Sequence, residues 1–149
     1  MMAFFGNVFR VLLGGTTMMV IGCGTGGAGA NGKPSEAALT STKIEFTARY
    51  NIEQAILTVF QLDGFQESGR APGRLRFMKV GDRESQALYG EWFVPGEVVE
   101  VEVMIREVEF GTHLVECKVT VQKGGIALPD RKGRFRTLMK RVKKLAGVL

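Results

Sequence analysis

Between Glu97 and Phe110 the chain reads EVVEVEVMIREVEF. Val99, Val101, Val103 and Ile105 alternate there with Glu100, Glu102 and Met104. A period of two belongs to an extended strand, and a polar-apolar alternation belongs to a sheet buried on one face and wetted on the other. After Ile105 the parity flips, because Val108 and Phe110 are the apolar positions. Gly111-Thr112 then supplies a tight hairpin loop, and His113, Val115, Cys117, Val119 and Val121 line one face of a return strand. Pairing outward from that turn sets Phe110 on His113 and Val108 on Val115. A β-bulge near Arg106-Glu107 would bring Ile105 opposite Cys117 and Val103 opposite Val119, with every apolar residue on one buried face.

The rest of the body adds elements around this hairpin. Ile44, Phe46, Ala48 and Tyr50 alternate with Lys43, Glu45, Thr47 and Arg49, which predicts a half-buried strand over 42–50. Asn51 with Gln54 three residues on reads as a capping box, and Ile52, Ala55, Ile56, Val59 and Phe60 form a helical stripe. Gly64 supplies the stop, with Phe65 folding back on the last turn. Residues 67–73 read as a loop, 74–80 as a strand with Leu75 and Phe77 inward, and 85–94 as a strand in which Leu88, Trp92 and Val94 share a face. Near the end, Phe135, Leu138, Met139, Val142, Leu145 and Ala146 recur at helical spacing, predicting a basic helix over about 131–147. The expected fold is therefore α+β: a single antiparallel sheet of about five strands, order β-α-β-β-β-β-α, with two helices packed on one face.

With 149 residues there is room for one domain, and 45% hydrophobic against 23% charged residues is an ordinary globular balance. The net charge of +5 is unevenly spread. Residues 130–149 carry eight Lys/Arg against one Asp, whereas residues 11–129 carry eleven basic and fourteen acidic side chains. A mildly acidic body thus ends in a cationic helix whose Arg136, Lys140, Arg141, Lys143 and Lys144 flank the apolar stripe. Such charges suit anionic lipid headgroups or another acidic envelope component. They would also suit nucleic acid, although Phe135 is the only aromatic in the tail available for stacking on bases.

The first forty residues carry a different signal. Arg10 precedes an eleven-residue, mostly apolar run, Val11 to Ile21, too short to span a bilayer and proportioned like a secretory signal. The run closes on Val20-Ile21-Gly22-Cys23. This tetrad resembles the lipobox of bacterial lipoproteins, with Val20 where Leu is commonest. The resemblance implies a signal peptide over 1–22, a lipidated Cys23, a flexible Gly/Ala/Ser tether over 23–41, and a domain over 42–149 held outside the cytoplasm by a membrane anchor. The architecture expected for that domain also looks similar to small α+β domains of envelope lipoproteins.

Other readings compete for the same stretch. Gly22, Gly24 and Gly27 match a dinucleotide fingerprint, but Gly29, Gly32 and Pro34 would break the helix that such a turn must feed. Gly27 to Pro34 has a P-loop frame with Pro34 where the magnesium-binding Ser/Thr belongs. Ala28-Gly29-Ala30 has the form of an ordinary signal-peptidase site.

No catalytic constellation stands out. His113 is the only histidine, Cys117 falls on the inward face of a strand, and no pair of cysteines offers a zinc set. Glu100 and Glu102 share a strand face, with Gln122 and Thr120 as their expected cross-strand neighbours and Lys118 nearby. The functional expectation is a membrane-anchored envelope lipoprotein with a non-catalytic binding or scaffolding domain, requiring no cofactor or metal. The alternatives are a secreted or anchored hydrolase with a pocket between helix and sheet, and a cytoplasmic nucleic-acid-binding protein.

Overall fold

The valine-glutamate alternation forms the centre of the sheet. In the computed structural model, which describes residues 39–121, 125–126 and 132–149, β1 (Thr40–Glu45) leads into α1 (Arg49–Leu62). β2 (Gln66–Ala71) and β3 (Arg74–Val80) follow, then α2 (Arg83–Tyr89), β4 (Val98–Glu109), β5 (Thr112–Val121), β6 (Gly125–Ile126) and α3 (Arg134–Ala146). All pairings are antiparallel in the order β1-β5-β4-β3-β2, with the two-residue β6 joining β5. The chain is thus an α+β protein with one antiparallel sheet, and it has three helices where two were expected.

One face of the sheet is dry. Leu75 and Phe77 of β3, Val99 to Ile105 at odd positions of β4, and Val115, Cys117 and Val119 of β5 join Ile52, Ala55, Ile56 and Phe60 of α1 in one core. Phe135, Leu138, Met139, Val142 and Ala146 of α3 complete it, so the helical stripe reads from sequence as it packs. Phe60 stacks on Phe77 with ring centroids 4.9 Å apart, which locks α1 to the sheet. The end of α1 also forms as expected: Phe65 N–H donates to the Phe60 carbonyl and Gly64 N–H to that of Gln61, a Schellman arrangement with Gly64 at φ 85°.

Several expectations need correction. The β4–β5 bulge lies between Glu107 and Glu109, not at Arg106-Glu107, so Ile105 pairs with Val115 and Val103 with Cys117. A two-residue slip keeps every side chain on its face, which is why alternation alone could not fix the register. Residues 83–89 are helical where a strand over 85–94 was expected. Asp82 Oδ1 accepts from Ser85 N–H at 2.6 Å and caps the helix, which buries Ser85 and Tyr89 while Leu88 and Val94 stay 38% exposed. Residues 66–71 form the edge strand β2, bulged between Glu67 and Gly69, although their polarity reads as loop.

The strand expected over 42–50 ends at Glu45, and the strand itself begins inside the span assigned to the tether. α1 starts at Arg49 after an extended Ala48, with no side-chain cap, so Asn51 and Gln54 lie within the helix and form no capping box at its start. Finally, Phe46 and Phe110, both assigned to the core by alternation, are 92% and 100% exposed. Phe46 has a left-handed φ of 52°, which breaks the alternation that would have returned its ring to the sheet's inner face. Phe110 and Gly111, not Gly111 and Thr112, make the hairpin loop, since the last pair is Glu109 with Thr112. The signal peptide, Cys23 and the tether up to residue 38 lie outside the described residues.

Candidate functional site

The basic helix is set in place by a partly buried polar cluster. Asp63, just past the end of α1, accepts from the Tyr89 hydroxyl and from the Arg134 guanidinium. The side chain of Asp63 is 4% exposed and that of Arg134 25%, so the pair is largely withdrawn from water. Lys79 Nζ donates to the Asp63 carbonyl at 2.8 Å and stands 5.5 Å from the centroids of both the Phe65 and Tyr89 rings. Burial first, and then the Asp63 carboxylate, push the Tyr89 phenol far above its usual range. These contacts tie the ends of α1 and α2, and the end of β3, to the first residue of α3.

From that anchor, α3 presents its cations outward. Arg136, Lys140, Arg141, Lys143 and Lys144 are all exposed, and the helix contains no acidic residue. Lys140, Arg141, Lys143 and Lys144 have no ion-pair partner among the described residues. Lys143 and Lys144 lie in the last turn, where the negative end of the helix dipole favours them.

The structure divides these five residues. Arg141 and Lys144 line an apolar groove of about 270 Å³ between α1 and α3, together with Val59, Leu62, Leu145 and Val148. Arg136, Lys140 and Lys143 do not line it. Leu62 is 81% exposed and Val148 76%, so the groove is open and rimmed by protruding apolar groups. The grouping has only a faint sequence signal, a Leu62 that falls off the buried face of α1. Asp63, Tyr89 and Arg134 were likewise not singled out, because they converge from three separate elements.

The opposite face of the sheet carries a shallow concavity of about 530 Å³ lined by Ser68, Arg76, Met78, Glu100, Val101, Glu102, Lys118 and Thr120. Glu102 accepts from Arg76 Nε at 3.2 Å and lies 3.5 Å from Arg74 Nε. Glu100 pairs across the strands with Thr120, and Glu102 with Lys118, two residues from the expected register. Glu102 is thus ion-paired across the sheet within this shallow concavity. His113 is buried between Ile44 on β1 and Glu107 on β4, and Cys117 is fully buried on the inner face of β5. Among the described residues, no group of three or more His, Cys, Asp or Glu is placed to hold a metal ion, and no helix is long and apolar enough to cross a membrane.

No family model matches the chain, and no curated protein matches it. Among solved structures the chain is similar to the adenylate sensor from AMP-activated protein kinase, solved in complex with the ribofuranotide ZMP. That match has a TM-score of 0.45 and 13% identity, covering 72% of this chain and 95% of that one.

Proposed function

We propose that this protein is a bacterial envelope lipoprotein, anchored through lipid on Cys23, whose α+β body serves a non-catalytic binding or scaffolding role. The observation that carries the reading is the Val20-Ile21-Gly22-Cys23 tetrad closing an apolar run behind a single positive charge. Two or more acyl chains on such a cysteine give stable anchoring, each buried methylene contributing about 0.8 kcal/mol. The exposed cations of α3 support the second half of the reading. A side chain of this kind is worth about 1 kcal/mol near an anionic surface, and a helix with no acidic residue offers several at once. A tether of mostly Gly, Ala, Ser and Thr would let the body present that face to headgroups or to an acidic envelope component.

Mass spectrometry of the N-terminal peptide, from protein made in its native host with membranes separated from soluble material, tests the anchor. The expected product is a lipid-modified peptide beginning at Cys23 in the membrane fraction. A soluble chain beginning at Asn31 would replace anchoring by secretion, and an intact, cytosolic VIGCGTGG would overturn the export argument altogether.

A further inference from the structure

The two phenylalanines displaced from the core are neighbours. Phe46 N–H donates to the Gly111 carbonyl at 2.8 Å, so the β1–α1 connection and the β4–β5 hairpin tip lie side by side. Each ring follows a glutamate, and the two glutamates share one row of the sheet: Glu45 pairs with Thr112, and Thr112 pairs with Glu109 on its other side. Both carboxylates are exposed, and neither has an ion-pair partner among the described residues. The edge of the molecule therefore presents two Glu-Phe pairs in parallel. Two fully exposed phenylalanines on adjoining turns mark a candidate interaction site in a way that apolar residues scattered singly do not.

The chain carries the complement of that edge elsewhere. The α1–α3 groove offers an apolar floor with Arg141 and Lys144 on its rim, two cations for two carboxylates and an apolar trough for two rings. The same molecule cannot close on itself: Tyr50, near the tip, and Leu62, at the groove, are separated by about 18 Å along α1 at 1.5 Å per residue. We propose that the Glu-Phe edge of one copy docks in the α1–α3 groove of a second copy. The contact is head-to-tail, so each copy keeps one free edge and one free groove, and the association extends into rows or closes into rings. It stands independently of the lipid anchor, although copies tethered to one membrane would meet at high effective concentration and need only a weak contact.

Two differently tagged full-length copies, co-expressed in the native host, cross-linked in the intact cell and then solubilised, test the pairing by co-purification. The edge variant is Phe46→Ser with Phe110→Ser, and the groove variant is Arg141→Glu with Lys144→Glu; all four positions are exposed. Wild-type copies are expected to co-purify. Edge variant with edge variant, and groove variant with groove variant, are expected to lose at least about tenfold, the scale of an interface anchor removed. Edge variant with groove variant is expected to keep about half of the wild-type yield, because the groove of the first still accepts the edge of the second. That recovery also shows that both variants are folded. Failure of wild-type copies to co-purify, or equal loss in all three variant combinations, would overturn the proposal. Unchanged co-purification with reduced membrane retention of the groove variant would overturn it too, and would assign the groove to lipid.

Discussion

The Asp63–Arg134 pair lends itself to a double-mutant cycle, because its partners lie 71 residues apart in sequence and hold α3 in position. Fully exposed ion pairs contribute about 0.2–1 kcal/mol, whereas removing one partner of a buried pair costs about 3–5 kcal/mol. With 4% of Asp63 and 25% of Arg134 exposed, the pair falls between these limits. Arg134→Met should destabilise by about 2–3 kcal/mol, since it leaves a largely buried carboxylate with only the Tyr89 hydroxyl. Asp63→Asn should cost about 1 kcal/mol, because the amide oxygen still accepts from Tyr89 and the guanidinium retains some water. The coupling recovered from the double variant should be about 1.5–2 kcal/mol, with Arg134→Met lowering Tm by roughly 10 °C.

Urea unfolding followed by fluorescence suits the measurement. Trp92 is the only tryptophan, and its ring stacks 6.2 Å from that of Phe135 at the start of α3. Its emission therefore reports the docking of that helix. A coupling below about 0.5 kcal/mol would refute the argument that this cluster, and not the apolar stripe alone, fixes α3.

Two further outcomes follow from close packing and from ionisation. Gly81→Ala would set a Cβ 2.1 Å from the Val94 carbonyl oxygen, a backbone atom that cannot swing aside, so a loss of about 3 kcal/mol is expected in the same urea assay. Gly111→Ala, with a φ of 71° and nothing within 4 Å of the added carbon, should lose only about 1 kcal/mol, and equal losses would refute the steric reasoning. The raised Tyr89 phenol supplies stability that is complete below pH about 10 and declines by about 1.4 kcal/mol per pH unit above it, because the unfolded chain ionises first. In a Tyr50→Phe background, phenolate absorbance should rise only together with unfolding. A phenolate signal near pH 10 from protein with native circular dichroism would refute it.

The buried stripes of α1 and α3 and the inward valines of β4 and β5 were legible because each runs over enough residues to display its period. α2 has only seven residues, too few to separate a helical period from a strand's, and its cap depends on one Asp82 contact. β2 is an edge strand with its side chains in water, so it had no apolar pattern to show. In the candidate site, the cations of α3 were legible as an exposed set. Their division into groove lining and remainder was not, since it depends on where Val59 and Leu62 of another helix come to lie beside them.

Phe46 is the residue at which the two levels of information disagree most sharply. Alternation from Ile44 sends it inward, and its aromatic ring would gain by burial, yet a left-handed backbone unusual for a bulky residue turns it into water. Strain of that kind persists where the surrounding structure or a bound partner compensates for it. Inside the chain the compensation is partial, a single hydrogen bond to the Gly111 carbonyl. That bond sets Phe46 beside Phe110, the other ring that alternation would have buried. A selection for folding alone would replace either with a polar residue at no loss of core. Two such rings, each behind a glutamate and held together by the backbone, are what a surface requires when its remaining contacts lie on another molecule.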